Sequence, residues 1–158
     1  MESSINKHHR NLASVMHIST FSKYFFPFGN FIFPLLLWTS NKNESDFIDY
    51  NGKQAINFQI SILLYSIVVG ALVFTFTLFT AWDFAEFINL FEHNRHHIDL
   101  DLNFNNPISF GSSLILMGVA GVFALALFVL DLFCTITATS KANEGIKYEY
   151  PFSINFIK

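Results

Sequence analysis

Two stretches of 29 residues, 54–82 and 102–130, contain no Asp, Glu, Lys or Arg. A helix rises about 1.5 Å per residue and a bilayer's hydrocarbon core is about 30 Å thick, so about 20 apolar residues suffice to cross it. Either stretch can span with length left for tilt. The remaining composition agrees: 52% of the chain is hydrophobic and 13% charged, against about a quarter charged in an ordinary globular domain. An all-α integral membrane protein is expected, with the lipid bilayer as its main partner. Nine basic residues are scattered in a chain of net charge -3, which leaves no footprint for nucleic acid. Cys134 is the sole cysteine, so no internal disulfide can form.

A third uncharged run, 24–41, is shorter and interrupted by Pro27, Gly29, Asn30 and Pro34. Pro-Phe-Gly-Asn is turn chemistry, because Pro fixes φ while Gly and Asn tolerate positive φ. Residues 12–39 therefore read as two short helices, each reaching about 18–22 Å, less than a full crossing. Such a pair is a re-entrant or shallow hairpin whose turn must be buried in protein. Lys7 and Arg10 precede it as in a signal peptide, but Lys23 and the prolines break the run, and the segment is expected to be retained.

The second segment is expected over 54–82, with Asn51 as its cap and Gln54 reaching back. The third is expected over 107–142, opened by Asn106-Pro107 and stopped by Lys141 and Gly145. Residues 83–106 form a polar outer loop and 143–158 an interfacial tail, giving one polytopic domain over 1–158. With the hairpin, eight basic residues share one face and only Arg95 the other; a single first span would split them four against five. The positive-inside rule favours the hairpin, a multi-pass protein of the cell inner membrane with both termini cytoplasmic.

The stretches FFPFGNFIFPLLLW, NESDFIDYNGKQAINFQISILLYSI and SKANEGIKYEYPFSINFIK resemble a bacterial membrane-protein domain of unknown function related to the Tic-twenty family, a subunit of the chloroplast inner-envelope import translocon. The resemblance covers about half of the chain. It implies a small helical membrane protein and, by analogy with the plastid relatives, a link to protein translocation.

Asp131 lies about 15 Å along a helix from Lys141, near mid-membrane, where an ionisable group must face protein or water. Ala120, Ala124, Phe128, Asp131 and Thr135 share its face. Asn57, Ser61 and Tyr65 make a polar ridge on the second segment, and a hydrogen bond from Asp131 to one of them is expected. Fixing helix register is weighed above an ion or proton site; on that reading Asp131→Asn leaves folding intact. Asn57 and Gln59 are expected to satisfy backbone groups freed at the hairpin turn, with substrate binding the lesser reading. In FEHNRHHIDLD, Glu92 with His96 and His93 with His97 fall at i, i+4 and could share a metal or form a pH-responsive patch; a charged outer surface contacting a partner or lipid headgroups is weighed above both. His8, His9 and His17 receive no role.

Tyr148, Tyr150, Phe152, Ile154 and Phe156 alternate with polar residues, a period of two that implies an extended tail lying along the cytoplasmic interface or docked beneath the bundle. Ser-His-Asp, HExxH, P-loop and Rossmann patterns are absent from the sequence, so neither a catalytic set nor a cofactor is expected. Three functions remain: a non-enzymatic subunit or scaffold of a membrane complex, in contact with other membrane proteins or copies of itself; a small transporter or channel using Asp131; and a metal-dependent role for the His-rich loop.

Overall fold

The computed structural model describes the backbone of residues 6–93 and 110–158, and side chains over 6–78 and 115–158. Its elements are α1 (Lys7–Ile18), a 3₁₀ segment (Ser19–Tyr24), α2 (Gly29–Asn41), α3 (Asp46–His93) and α4 (Phe110–Glu144). The described residues contain no strand, and the expected fold class holds: two long apolar helices, a broken N-terminal pair and an extended tail. The chain divides into two compact units, 1–64 with 128–158, and 65–127.

Local chemistry sets the element ends. Asn6 caps α1 through its side chain, which accepts from the His8 N–H. The Ser45 hydroxyl accepts from the Ile48 N–H and so caps α3, with Asp46 and Asp49 in its first turn facing the positive end of the helix dipole. The cap expected at Asn51 is therefore about one and a half turns inside the helix and Gln54 about two, and at its other end α3 runs to His93, into the stretch expected as outer loop. The acidic first turn lets helix begin before the apolar run does. At the other end of the chain, α4 stops at Gly145, with φ 83°. Its N–H bonds the Ala142 carbonyl at 3.0 Å, and the Ile146 N–H bonds that of Lys141 at 2.9 Å, the double closure of a glycine-terminated helix.

The hairpin turn departs from the expected backbone. Phe28, not Gly29 or Asn30, takes the left-handed conformation, with φ 63°. Gly29 is needed for closeness instead: a Cβ there would lie 2.6 Å from Ser22 Oγ and 2.8 Å from the Ser22 carbonyl. Gly52 serves α3 in the same way, since its Cβ would stand 2.3 Å from Cδ1 of Trp38. These two contacts allow α2 to fold back on the 3₁₀ segment and to lie against α3.

In the first unit, residues 54–59 of α3 are buried in an unbroken run. The facing stripe of α4 is Asp131, Cys134, Thr135, Ala138 and Ala142, spaced three and four apart as one helical face requires. Phe58 packs with Cys134, Ala138 and Tyr150, while Ala13 packs with Phe47 and Ala142. Ala124 and Phe128, placed on the same face as Asp131 by helical spacing, are exposed.

In the second unit many of the described apolar side chains are exposed. Leu72, Phe74 and Leu78 on α3, and Val122 and Leu125 on α4, are all more than 60% exposed. Two helices, Asp46–Leu78 and Ile115–Glu144, are long and apolar enough to cross a membrane, and only 6% of the qualifying window of each is buried within the protein. A soluble core helix would hide such a surface; this one is suited to lipid, and the chain is a membrane protein.

Candidate functional site

The polar residues of the first unit form two linked arrangements. In one, Asp131 accepts from Gln59 Nε2 through Oδ1 at 2.9 Å, and its Oδ2 forms an ion pair with Lys23. Gln59 Oε1 in turn accepts from Asn30 Nδ2 at 2.9 Å. The 3₁₀ segment supplies Lys23, the first turn of α2 Asn30, α3 Gln59 and α4 Asp131. Three sections of chain are therefore tied to one carboxylate.

This corrects the expected pairing of Asp131 with the ridge of Asn57, Ser61 and Tyr65. Asn57 and Ser61 serve the tail. Asn57 donates from Nδ2 to the Ile157 carbonyl at 3.0 Å and accepts at Oδ1 from the Ile157 N–H at 2.9 Å. Its carboxamide pairs with one residue's backbone as a neighbouring strand would. Ser61 Oγ accepts from the Ile154 N–H at 2.8 Å and donates to the Asn57 carbonyl. Tyr65 falls within the second unit. Gln59 also departs from its expected role, because it binds the Asn30 side chain rather than freed backbone at the turn.

The second arrangement is centred on His17. Its Nε2 lies 2.9 Å from Asn51 Oδ1 and its Nδ1 2.9 Å from the Tyr150 hydroxyl. Asn51 Nδ2 donates to the Phe47 carbonyl at 2.8 Å, which leaves Oδ1 to accept from the imidazole. All three residues are buried. Burial lowers the His17 pKa to about 4, against the opposing effect of the Asn51 hydrogen bond, so the ring is neutral near pH 7. Burial likewise pushes the Tyr150 phenol well above its ordinary value. The Tyr150 ring stacks on Phe58 with centroids 4.1 Å apart.

The tail does not alternate throughout. A turn at Pro151-Phe152, where Phe152 has φ 59°, sends Tyr150 inward and leaves Phe152 and Phe156 exposed, with Tyr148 half-buried. Of the proposed metal ligands, the side chains of Glu92 and His93, and His96 and His97 entirely, lie outside the described residues. Among those described, no group of three or more His, Cys, Asp or Glu is placed to hold a metal.

Lys23, Asn30, Asn51 and His17 carry the network, although sequence reasoning assigns none of them to a site. One signal was available. Lys23 is the sole charge between Arg10 and Lys42, and Asp131 the sole charge between Asp101 and Lys141. A lone cation and a lone anion in two apolar runs are natural partners.

A family profile matches residues 8–157, covering the hairpin, both long helices and nearly all of the tail: MamF/MmsF, the magnetosome magnetite crystal formation protein family. The chain belongs to this family. No curated protein and no solved structure matches it. The MamF/MmsF match overturns the resemblance to Tic-twenty, and the link to translocation falls with it. The stretches that suggested that resemblance build the hairpin, the first turns of α3 and the docked tail.

Proposed function

We propose that this chain is a non-enzymatic membrane subunit of the apparatus that forms magnetite crystals in the magnetosome, acting as a scaffold for other membrane proteins or for further copies of itself. The family match over 150 of 158 residues carries the reading. The network supports it, because its polar groups are spent on one another: both oxygens of Asp131 and both nitrogens of His17 have partners inside the protein. A carboxylate held this way sets helix register; an ion route would need it open to solvent.

The chain crosses the membrane twice, with both termini in the cytoplasm. Since the Lys23 ammonium is committed to Asp131, seven basic residues rather than eight remain to favour that face over Arg95. The far end of α3 then belongs to the opposite side. There Glu92, His93, His96 and His97 offer carboxylate and imidazole donors suited to iron. Magnetite is an iron mineral, and this favours metal binding by these four residues as a second reading.

Deleting the gene in the bacterium that encodes it, then sizing crystals by electron microscopy, tests the scaffold reading. Altered crystal number or size, restored by the wild-type chain, is expected; unchanged crystals overturn it. Restoration by a variant carrying His93→Ala, His96→Ala and His97→Ala would set the metal reading aside and leave the scaffold standing.

A further inference from the structure

The hairpin is tied to α3 at successive levels. Ala13 packs with Phe47, His17 bonds Asn51, Asn30 bonds Gln59, and Trp38 lies against Gly52 and donates from Nε1 to Asp49 Oδ1 at 2.9 Å. Contacts climb α3 along α1 and descend it again along α2. The deepest anchor is Gln59, six residues beyond Lys53, the last charge before the apolar run. Six residues of helix amount to about 9 Å, whereas half of the hydrocarbon core is about 15 Å. Both arms are therefore anchored in the leaflet that α3 enters at Lys53.

That turn carries large apolar side chains which the protein does not cover. Phe25 is 88% exposed and Phe28 66%, with neighbouring Tyr24 more than half exposed. Continuity with the two spans identifies what covers them. Gln59, which holds the hairpin, belongs to a helix that continues into lipid through exposed Leu63, Leu64, Ile67 and Val68. At that depth the surroundings of Phe25 and Phe28 are acyl chains.

Apolar bulk inserted into one leaflet expands it relative to the other, and the mismatch relaxes where that leaflet is the convex one; shallow insertions are sensitive to curvature for this reason. We propose that the hairpin of α1 and α2, tipped by Phe25 and Phe28, is a one-leaflet wedge that makes this protein prefer and stabilise membrane convex on the face carrying its termini. The inference rests on placement in the bilayer and not on the role in crystal formation, so each can fail separately.

The test uses the full chain with an N-terminal tag, reconstituted into giant vesicles of phosphatidylcholine and phosphatidylglycerol. A membrane-impermeant dye then marks only molecules whose termini face outward, and tubes are pulled from the vesicles. Density on the tube relative to the parent vesicle is expected to rise as the tube narrows, to about threefold at the smallest radius, since the preference equals the differential affinity for the two curvatures. Phe25→Ser with Phe28→Ser is expected to insert normally and return the ratio to near one; neither side chain belongs to the buried network. A wild-type ratio near one at every radius overturns the proposal, as does a double variant that sorts like wild type. Should the double variant fail to insert, the wild-type ratio alone decides.

Discussion

The Tyr150 phenol donates to His17 Nδ1 at 2.9 Å, joining residues 133 positions apart. The direction of this bond is fixed by a third residue. Because Asn51 turns its Nδ2 to the Phe47 carbonyl and its Oδ1 to His17, the ring proton must sit on Nε2, and Nδ1 has only a lone pair to offer. The tail, the first helix and α3 are thus locked by a neutral imidazole in a single tautomer.

Removing the phenol hydroxyl tests that lock. Tyr150→Phe keeps the stacking on Phe58 but leaves Nδ1 buried without a donor, a loss of about 1–3 kcal/mol. Lower thermal stability in detergent is expected. Hydrogen exchange at the Ile154 and Ile157 amides, held in the wild-type chain by Ser61 and Asn57, should also accelerate.

The same imidazole gives the fold a pH dependence whose sign can be worked out. His17 titrates near 4 in the folded chain and near 6.5 when unfolded. Between those values the unfolded state binds more protons, so stability is fully present above pH 6.5 and declines as pH falls toward 4. The loss is about 3 kcal/mol at most. Unfolding of wild type and His17→Gln across pH 7.5 to 4 checks it; the variant should lack this part of the slope.

Asp131→Asn should destabilise the fold by about 3–5 kcal/mol, because it leaves the Lys23 ammonium, 22% exposed, without its counter-charge. Sequence reasoning expects that substitution to leave folding intact, since it places no cation beside Asp131. Lys23→Met should rescue much of the loss, and a double-mutant cycle would measure the coupling. Independent, additive losses would show that the pair does not act as a unit.

Gly52→Ala places a methyl group against Trp38 where no room exists. Since the obstacle is the base of the indole and not a flexible chain end, α2 must move away, at a cost of about 1–3 kcal/mol. The Trp38 fluorescence should shift as its bond to Asp49 is disturbed.

The architecture was legible because its causes are local: long charge-free runs, a turn rich in Pro and Gly, and a glycine closing α4. The pairing within the network was less legible, because it depends on which side chains the hairpin carries to which level of α3. Asp131 stands out by charge alone, but it meets Gln59, which lies about 160° round α3 from the Asn57 and Ser61 that hold the tail. His17 looks scattered among six histidines until folding sets it between Asn51 and Tyr150. The alternation of the tail holds as far as Tyr150 and fails at Pro151, where Phe152 turns into the left-handed region.

Labelling of introduced cysteines tests the membrane arrangement most directly. In a Cys134→Ser background, Asn6→Cys and Lys158→Cys are exposed to a membrane-impermeant maleimide in spheroplasts and in inverted membrane vesicles. Both positions should react only in the inverted vesicles, where the cytoplasmic face is outward. Reaction of one position in spheroplasts and the other in inverted vesicles would place the two ends on opposite faces, and the hairpin confined to one leaflet could not stand.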